Sequence, residues 1–200
     1  MNPDTLAELT GRAARLVVEE GLDYGAAKRR ALRDLGSAAS RSVTLPSNEM
    51  VEDEVREYLA LFCADTQPAE LRALRELAAR WMGRLAAFRP HLYGATWRGT
   101  ATRLSPVLID LFCDDPKSAE IEFLNLGIAF DSHSEPGAGE DTVLSVLDRC
   151  PELGEVVSVH FIVHDHDVLR GALKPDSRGQ TWRGNLAALR QRLAASGASS

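Results

Sequence analysis

Between residues 91 and 115 the chain reads HLYGATWRGTATRLSPVLIDLFCDD. A short aromatic run ends at Gly94, and a glycine there lets the backbone turn sharply and come close to a ligand. The free N–H groups of a helix starting just after the turn, at Gly94 and Ala95, would receive a phosphate. Arg98 and Arg103 would add charge-assisted hydrogen bonds to it. The apolar run that follows carries Asp110, with Asp114 four residues on. A strand ending in carboxylates would hold Mg²⁺ against a phosphate, although a regular strand sets Asp110 and Asp114 about 13 Å apart, too far to share one ion without a bend. Phosphoryl and nucleotidyl transfer rest on this grouping, because positioning and charge neutralisation supply most of the catalysis.

A second cluster lies at residues 160–167, HFIVHDHD. His160, His164 and His166 share parity along an extended chain. His164 and His166 would share a Zn²⁺ or Mn²⁺ ion, with Asp165 or Asp167 assisting and His133 or Asp131 as a third ligand. A metal-dependent hydrolase is the chemistry this set would serve. The plainer expectation is a solvated strand end, with Asp165 or Asp167 capping the next helix.

The elements that must position these residues fall into two halves. Residues 1–90 read as helix. Leu6, Leu9, Ala13, Leu16 and Val17 recur at helical spacing, and Gly21 ends the run. Asp23 caps a second helix through Ala27 and Ala31 that Gly36 stops. The polar segment 37–46 reads as a linker. Ser47 precedes a third helix whose apolar stripe is Val51, Val55, Tyr58, Leu59 and Phe62. A fourth starts near Pro68, with Leu71, Leu74, Ala78, Trp81, Leu85 and Phe88 as its stripe.

After Pro90 the texture changes to about five short strands. HLYGATW predicts a strand ending near Gly94, and GTATRLS one or two helical turns. VLIDLFC is a continuous apolar run, as in a central strand. Asp115-Pro116 predicts a capped helix ending before Gly127. IAFDSHS, TVLSVLD and EVVSVHFIVHD predict three more strands, with a Gly/Glu-rich turn at 135–141. The last of them sets Val157, Val159, Phe161 and Val163 against Ser158, His160, Ile162 and His164. TWRGNLAALRQRL predicts a final helix with Trp182, Leu186, Leu189 and Leu193 on one face. The expected class is α+β, a helical module at 1–90 followed by a mixed sheet domain at 91–200.

The stretch 91–112 resembles the nucleotidyltransferase superfamily typified by the DNA polymerase β palm. Small members of that group carry a Gly-Ser turn, an arginine-glycine pair, and a strand reading Ser-Asp-hydrophobic-Asp-Leu. Here Gly94-Ala95 stands at the turn, Arg98-Gly99 at the pair, and Ser105 before the strand. The resemblance implies that Gly94, Ala95, Arg98 and Ser105 face a nucleotide, that Asp110 is the catalytic and metal-holding carboxylate, that Asp131 or Asp165 is a further one from a later strand, and that Mg²⁺ is the cofactor. Ala95 replaces the turn serine. Pro106 and Leu108, or in a slipped alignment Leu108 and Asp110, take the positions of the carboxylate pair, so at least one carboxylate is gone. The implied protein is nucleotidyltransferase-like but degenerate, with nucleotide binding outlasting transfer.

Net charge is −6. Residues 105–167 carry 14 acids against 2 bases, and residues 168–200 carry 6 bases against 1 acid. The acidic middle and low aromatic content speak against a dedicated nucleic-acid reader. Cys63, Cys113 and Cys150 are too few and scattered for a disulfide framework and read as reduced thiols. No apolar stretch reaches membrane-spanning length, and the first residues lack a secretory pattern. The expectation is a cytoplasmic protein, with the helical half as the alternative seat of function, recruiting a protein partner.

Overall fold

A computed structural model describes residues 3–36, 44–134, 142–169 and 179–197. Most of the expected linker at 37–46 and the expected turn at 135–141 lie outside the described residues. The fold is α+β: seven α-helices and a mixed six-stranded sheet among the described residues, with helices preceding the sheet along the chain. The chain divides into two compact units. One is Met1–Ala69 with Thr100–Ser105, the other Glu70–Gly99 with Pro106–Ser200.

The first unit is built on α1 (Pro3–Glu20), α2 (Tyr24–Asp34) and α3 (Asn48–Phe62). Side-chain caps start two of them: Asp23 accepts from Ala26 N at 2.8 Å, and Ser47 from Met50 N at 3.1 Å. Each cap satisfies an N–H that the first helical turn cannot. Leu9, Ala13, Ala14, Val18, Ala27, Ala31, Val51, Val55 and Leu59 form one buried core. The small alanines on α1 and α2 let these helices approach closely. Of the predicted α3 stripe, Phe62 is 69% exposed and so lies off the buried face.

The second unit takes most of α4 (Gln67–Arg84), so the compact units part near residue 70 rather than near the texture change at 90. The reason lies in the aromatic packing. Trp81 packs edge-on to Phe161, 5.2 Å between centroids, and lies over Phe123. Its indole N–H donates to Asp148 Oδ2 at 2.8 Å. That indole binds α4 to the sheet.

The strands are β1 (His91–Tyr93), β2 (Val107–Cys113), β3 (Asp131–Ser134), β4 (Thr142–Cys150), β5 (Glu155–Asp165) and β6 (Arg183–Asn185). Their order is β3-β4-β5-β2-β1-β6, so the apolar run VLIDLFC is central, as its composition predicts. β2 and β5 are parallel, and every other pair is antiparallel. The short α5 (Gly94–Arg98) joins β1 to β2. α6 (Pro116–Asn125) follows β2, capped by Asp115. α7 (Leu186–Gly197) follows β6.

Two local expectations change. The helical turns start at Gly94, not after Gly99, because Gly99 takes φ 91° and its N–H closes on Ala95 O. TWRGN is not the start of the last helix: Arg183–Asn185 pair with β1 as a sixth strand, and α7 begins at Leu186. Gly184 is the tell. A Cβ there would stand 2.0 Å from the Trp97 ring, so only glycine lets the indole lie on that strand.

Period-two alternation gives the sheet two chemically distinct faces. Val107, Ile109, Leu111, Val157, Val159, Phe161, Val163, Leu144 and Val146 are buried. They occupy one parity, the face that meets Trp81 and Phe123. The opposite parity is polar. One cross-strand row runs Asp131, Ser145, His160, Leu108, Tyr93, Arg183, and the next His133, Val143, Ile162, Asp110, His91, Asn185.

Candidate functional site

The polar face brings several predicted residues together. Gly94 has φ +70°, a left-handed conformation that favours glycine, and a Cβ on it would lie 3.0 Å from Leu108 Cδ1. The glycine turn therefore sits directly beside β2, at Leu108. Asp110 lies two residues further along the same face of β2, paired in register with His91.

Asp110 is 2% exposed and fully engaged. Its Oδ1 lies 2.9 Å from His164 Nε2, and its Oδ2 2.5 Å from Arg183 Nη1. Phe112 stacks against the His164 ring at 5.4 Å, and His91 meets Phe112 edge-on at 5.6 Å. Arg183 leans over the Tyr93 ring at 5.8 Å. A buried carboxylate persists only when its charge is met by cations or hydrogen bonds, and these partners do so. Mg²⁺ demands several oxygen ligands. Asp110 offers oxygens already taken, and Leu108, next along that face, offers none. This donor set does not fit Mg²⁺.

The other predicted residues lie as follows. Ala95 is half-buried in α5, where its carbonyl accepts from Gly99 N at 2.8 Å. Arg98 stacks on Trp182, its Cζ 4.4 Å from the ring centroid. Ser105 belongs to the first unit, where its Oγ accepts from Thr102 N at 3.0 Å. Two arginines not singled out from sequence close α5: Arg75 donates to Thr96 O and Trp97 O, and Arg192 to Trp97 O. Burial, and then the nearby Arg192, pull the Arg75 pKa down to about 10. Cations at a helix C-terminus meet unpaired carbonyls and the negative dipole end.

The histidines diverge. His164 goes to Asp110. His166 starts a 3₁₀ turn (His166–Val168) and meets Arg89 Nη1. Asp165 caps that turn by accepting from Asp167 N at 2.8 Å, as the plainer expectation held. His160 Nδ1 lies 2.8 Å from Ser145 Oγ. Burial pushes the His160 pKa down, with His133 adding to the effect, so its ring is neutral near pH 7. Ser145 and His160 resemble a nucleophile and base, but they stand mid-strand, where β4 pairs on both sides and its N–H groups are spent in the ladders rather than free for an oxyanion. Among the described residues no group of three or more His, Cys, Asp or Glu side chains is placed to hold a metal ion. No described helix is long and apolar enough to cross a membrane.

Sequence reasoning missed Arg183, His91 and Ser145. Each lies on a strand face that only the register reveals. No family model, curated protein or solved structure matches the chain at a significant level.

Proposed function

We propose that this chain is a nucleotidyltransferase-like protein that binds a nucleotide without transferring it. The observation that carries the reading is the closed state of Asp110, held between His164 and Arg183 at hydrogen-bond distance. A carboxylate committed to a guanidinium and an imidazole N is a structural group. The transferase mechanism requires one free to meet a metal ion. Further support comes from the order β1, left-handed glycine, short helix, antiparallel β2, with Leu108 beside the glycine where the resemblance puts a carboxylate. In this reading any Mg²⁺ arrives on the nucleotide's phosphates.

Thermal shift of the full chain against the four ribonucleoside triphosphates, with and without Mg²⁺, tests it. Stabilisation by at least one nucleotide without pyrophosphate release supports the reading. Pyrophosphate release that disappears in Asp110→Asn, or no shift with any nucleotide, overturns it.

A second reading, recruitment of a protein partner by the helical half, draws support from Leu61 and Phe62, 75% and 69% exposed at the end of α3. Capture of a partner by the full chain that Leu61→Lys and Phe62→Lys both abolish would favour it.

A further inference from the structure

A cleft of about 300 Å³ opens where β1 and β6 meet the start of α7. Met82, Ala86, Leu169 and Leu186 wall it with apolar surface, and His91 and Asn185 also line it. These two are direct register partners, His91 on β1 and Asn185 on β6. Residues so paired hold their side chains next to each other on one face.

The hydrogen bonds of each fix its remaining polarity. His91 Nδ1 lies 2.8 Å from Arg89 O. A carbonyl only accepts, so Nδ1 carries the proton and Nε2 keeps a lone pair. Asn185 Oδ1 accepts from Ala188 N at 3.0 Å, capping α7. That bond sets which end of the amide is oxygen and leaves Nδ2 as a donor. Neither Nε2 nor Nδ2 has a protein partner among the described residues. The Arg89 side chain, also at the cleft, is held by His166. Burial pushes the His91 pKa down, which keeps the ring neutral and Nε2 an acceptor at physiological pH.

The result is a small, mostly apolar cleft whose lining includes one residue with an unpartnered acceptor, His91, and one with an unpartnered donor, Asn185, side by side in register. We propose that it binds a small planar ligand through an amide edge, an N–H beside a C=O: the N–H donates to His91 Nε2 and the C=O accepts from Asn185 Nδ2. The apolar walls take the rest of the ring, in the usual division of a ligand pocket between a greasy body and a few polar anchors. The match is specific. A ligand with the same ring but no N–H leaves Nε2 unpaired and gains only burial. The site is separate from the Gly94 turn and does not depend on the nucleotide reading.

The probe is 2-pyridone, a six-membered lactam, titrated into the full chain and followed by the His91 ring nitrogen signals in NMR. N-methyl-2-pyridone, which lacks the N–H, is the paired control. A saturable shift of Nε2 is expected with 2-pyridone, and binding weaker by up to about tenfold with the N-methyl compound, the worth of one hydrogen bond. His91→Phe and Asn185→Ser should each weaken 2-pyridone by a similar factor. Serine retains a helix cap, so the second variant isolates the loss of Nδ2. Absence of a saturable shift, equal binding of the two lactams, or undiminished binding by Asn185→Ser overturns the proposal. The lactam comparison uses the unaltered protein and stands even if a variant does not fold.

Discussion

Arg183 Nη1 lies 2.5 Å from Asp110 Oδ2, although a whole strand, β1, runs between the two. The guanidinium reaches across the Tyr93 ring to a carboxylate on β2, and its own Nε is buried without a partner among the described residues. The pair thus carries a desolvation cost that only its mutual attraction and His164 offset.

Breaking that pair from one side is expected to be expensive. Arg183→Met should lower unfolding free energy by about 3 kcal/mol or more, since it leaves Asp110 buried with one cation fewer. The double variant Asp110→Leu, Arg183→Met should recover part of the loss. Urea denaturation of the two variants checks this, and a double variant weaker than Arg183→Met would refute the buried-charge account.

The indole of Trp97 stands where any side chain at position 184 would go. Gly184→Ala must displace the ring or lift β6 from β1, and the Trp97 indole would also strain its bond to Thr181 O, 2.8 Å away. A loss of about 1–3 kcal/mol is expected, the usual cost of overpacking. Tryptophan fluorescence through the same urea transition would report both stability and a moved ring.

Stability should fall on acidification below about pH 6.5, the ordinary histidine value. Burial chiefly lowers the pKa of both His91 and His160 in the folded chain. Between the lowered and ordinary values the unfolded chain binds protons that the folded chain does not. Folding is then favoured at higher pH, and the benefit drains away as pH drops through that window. His91→Phe should flatten the slope of melting temperature against pH between neutrality and pH 5, whereas an unchanged slope would remove His91 from the account.

The cap of α3 can be tested alone. Ser47 accepts from Met50 N at 3.1 Å, and Ser47→Ala should cost about 1 kcal/mol, with Ser47→Asp close to neutral. Circular dichroism melts of the three proteins give the comparison.

Much of this architecture was legible in local sequence, where the physics is local. The alternation of β5 is seen in the structure residue by residue, with Val157, Val159, Phe161 and Val163 buried and the residues between them half-exposed. The caps Asp23 and Asp115 stand where predicted, and Ser47, read only as preceding α3, caps it too, because a side chain and an N–H two or three residues on need nothing else. β6 was hidden because three residues abut a strong helical pattern, and periodicity over so short a run carries no signal. The partners of Asp110 were hidden for another reason. His164 and Arg183 are far from it in sequence, and only pairing register puts them in the rows on either side of Asp110.

The strand order has a consequence for synthesis. β1 lies between β2 and β6, and β6 is the last of the described strands to leave the ribosome. A nascent chain thus carries Asp110 toward the forming sheet before Arg183 has been translated. Until then β1 is an open edge, the sort of surface that stray strands and quality-control proteases find first. The sheet closes, and Asp110 gains its guanidinium partner, only once β6 has been made and has paired with β1.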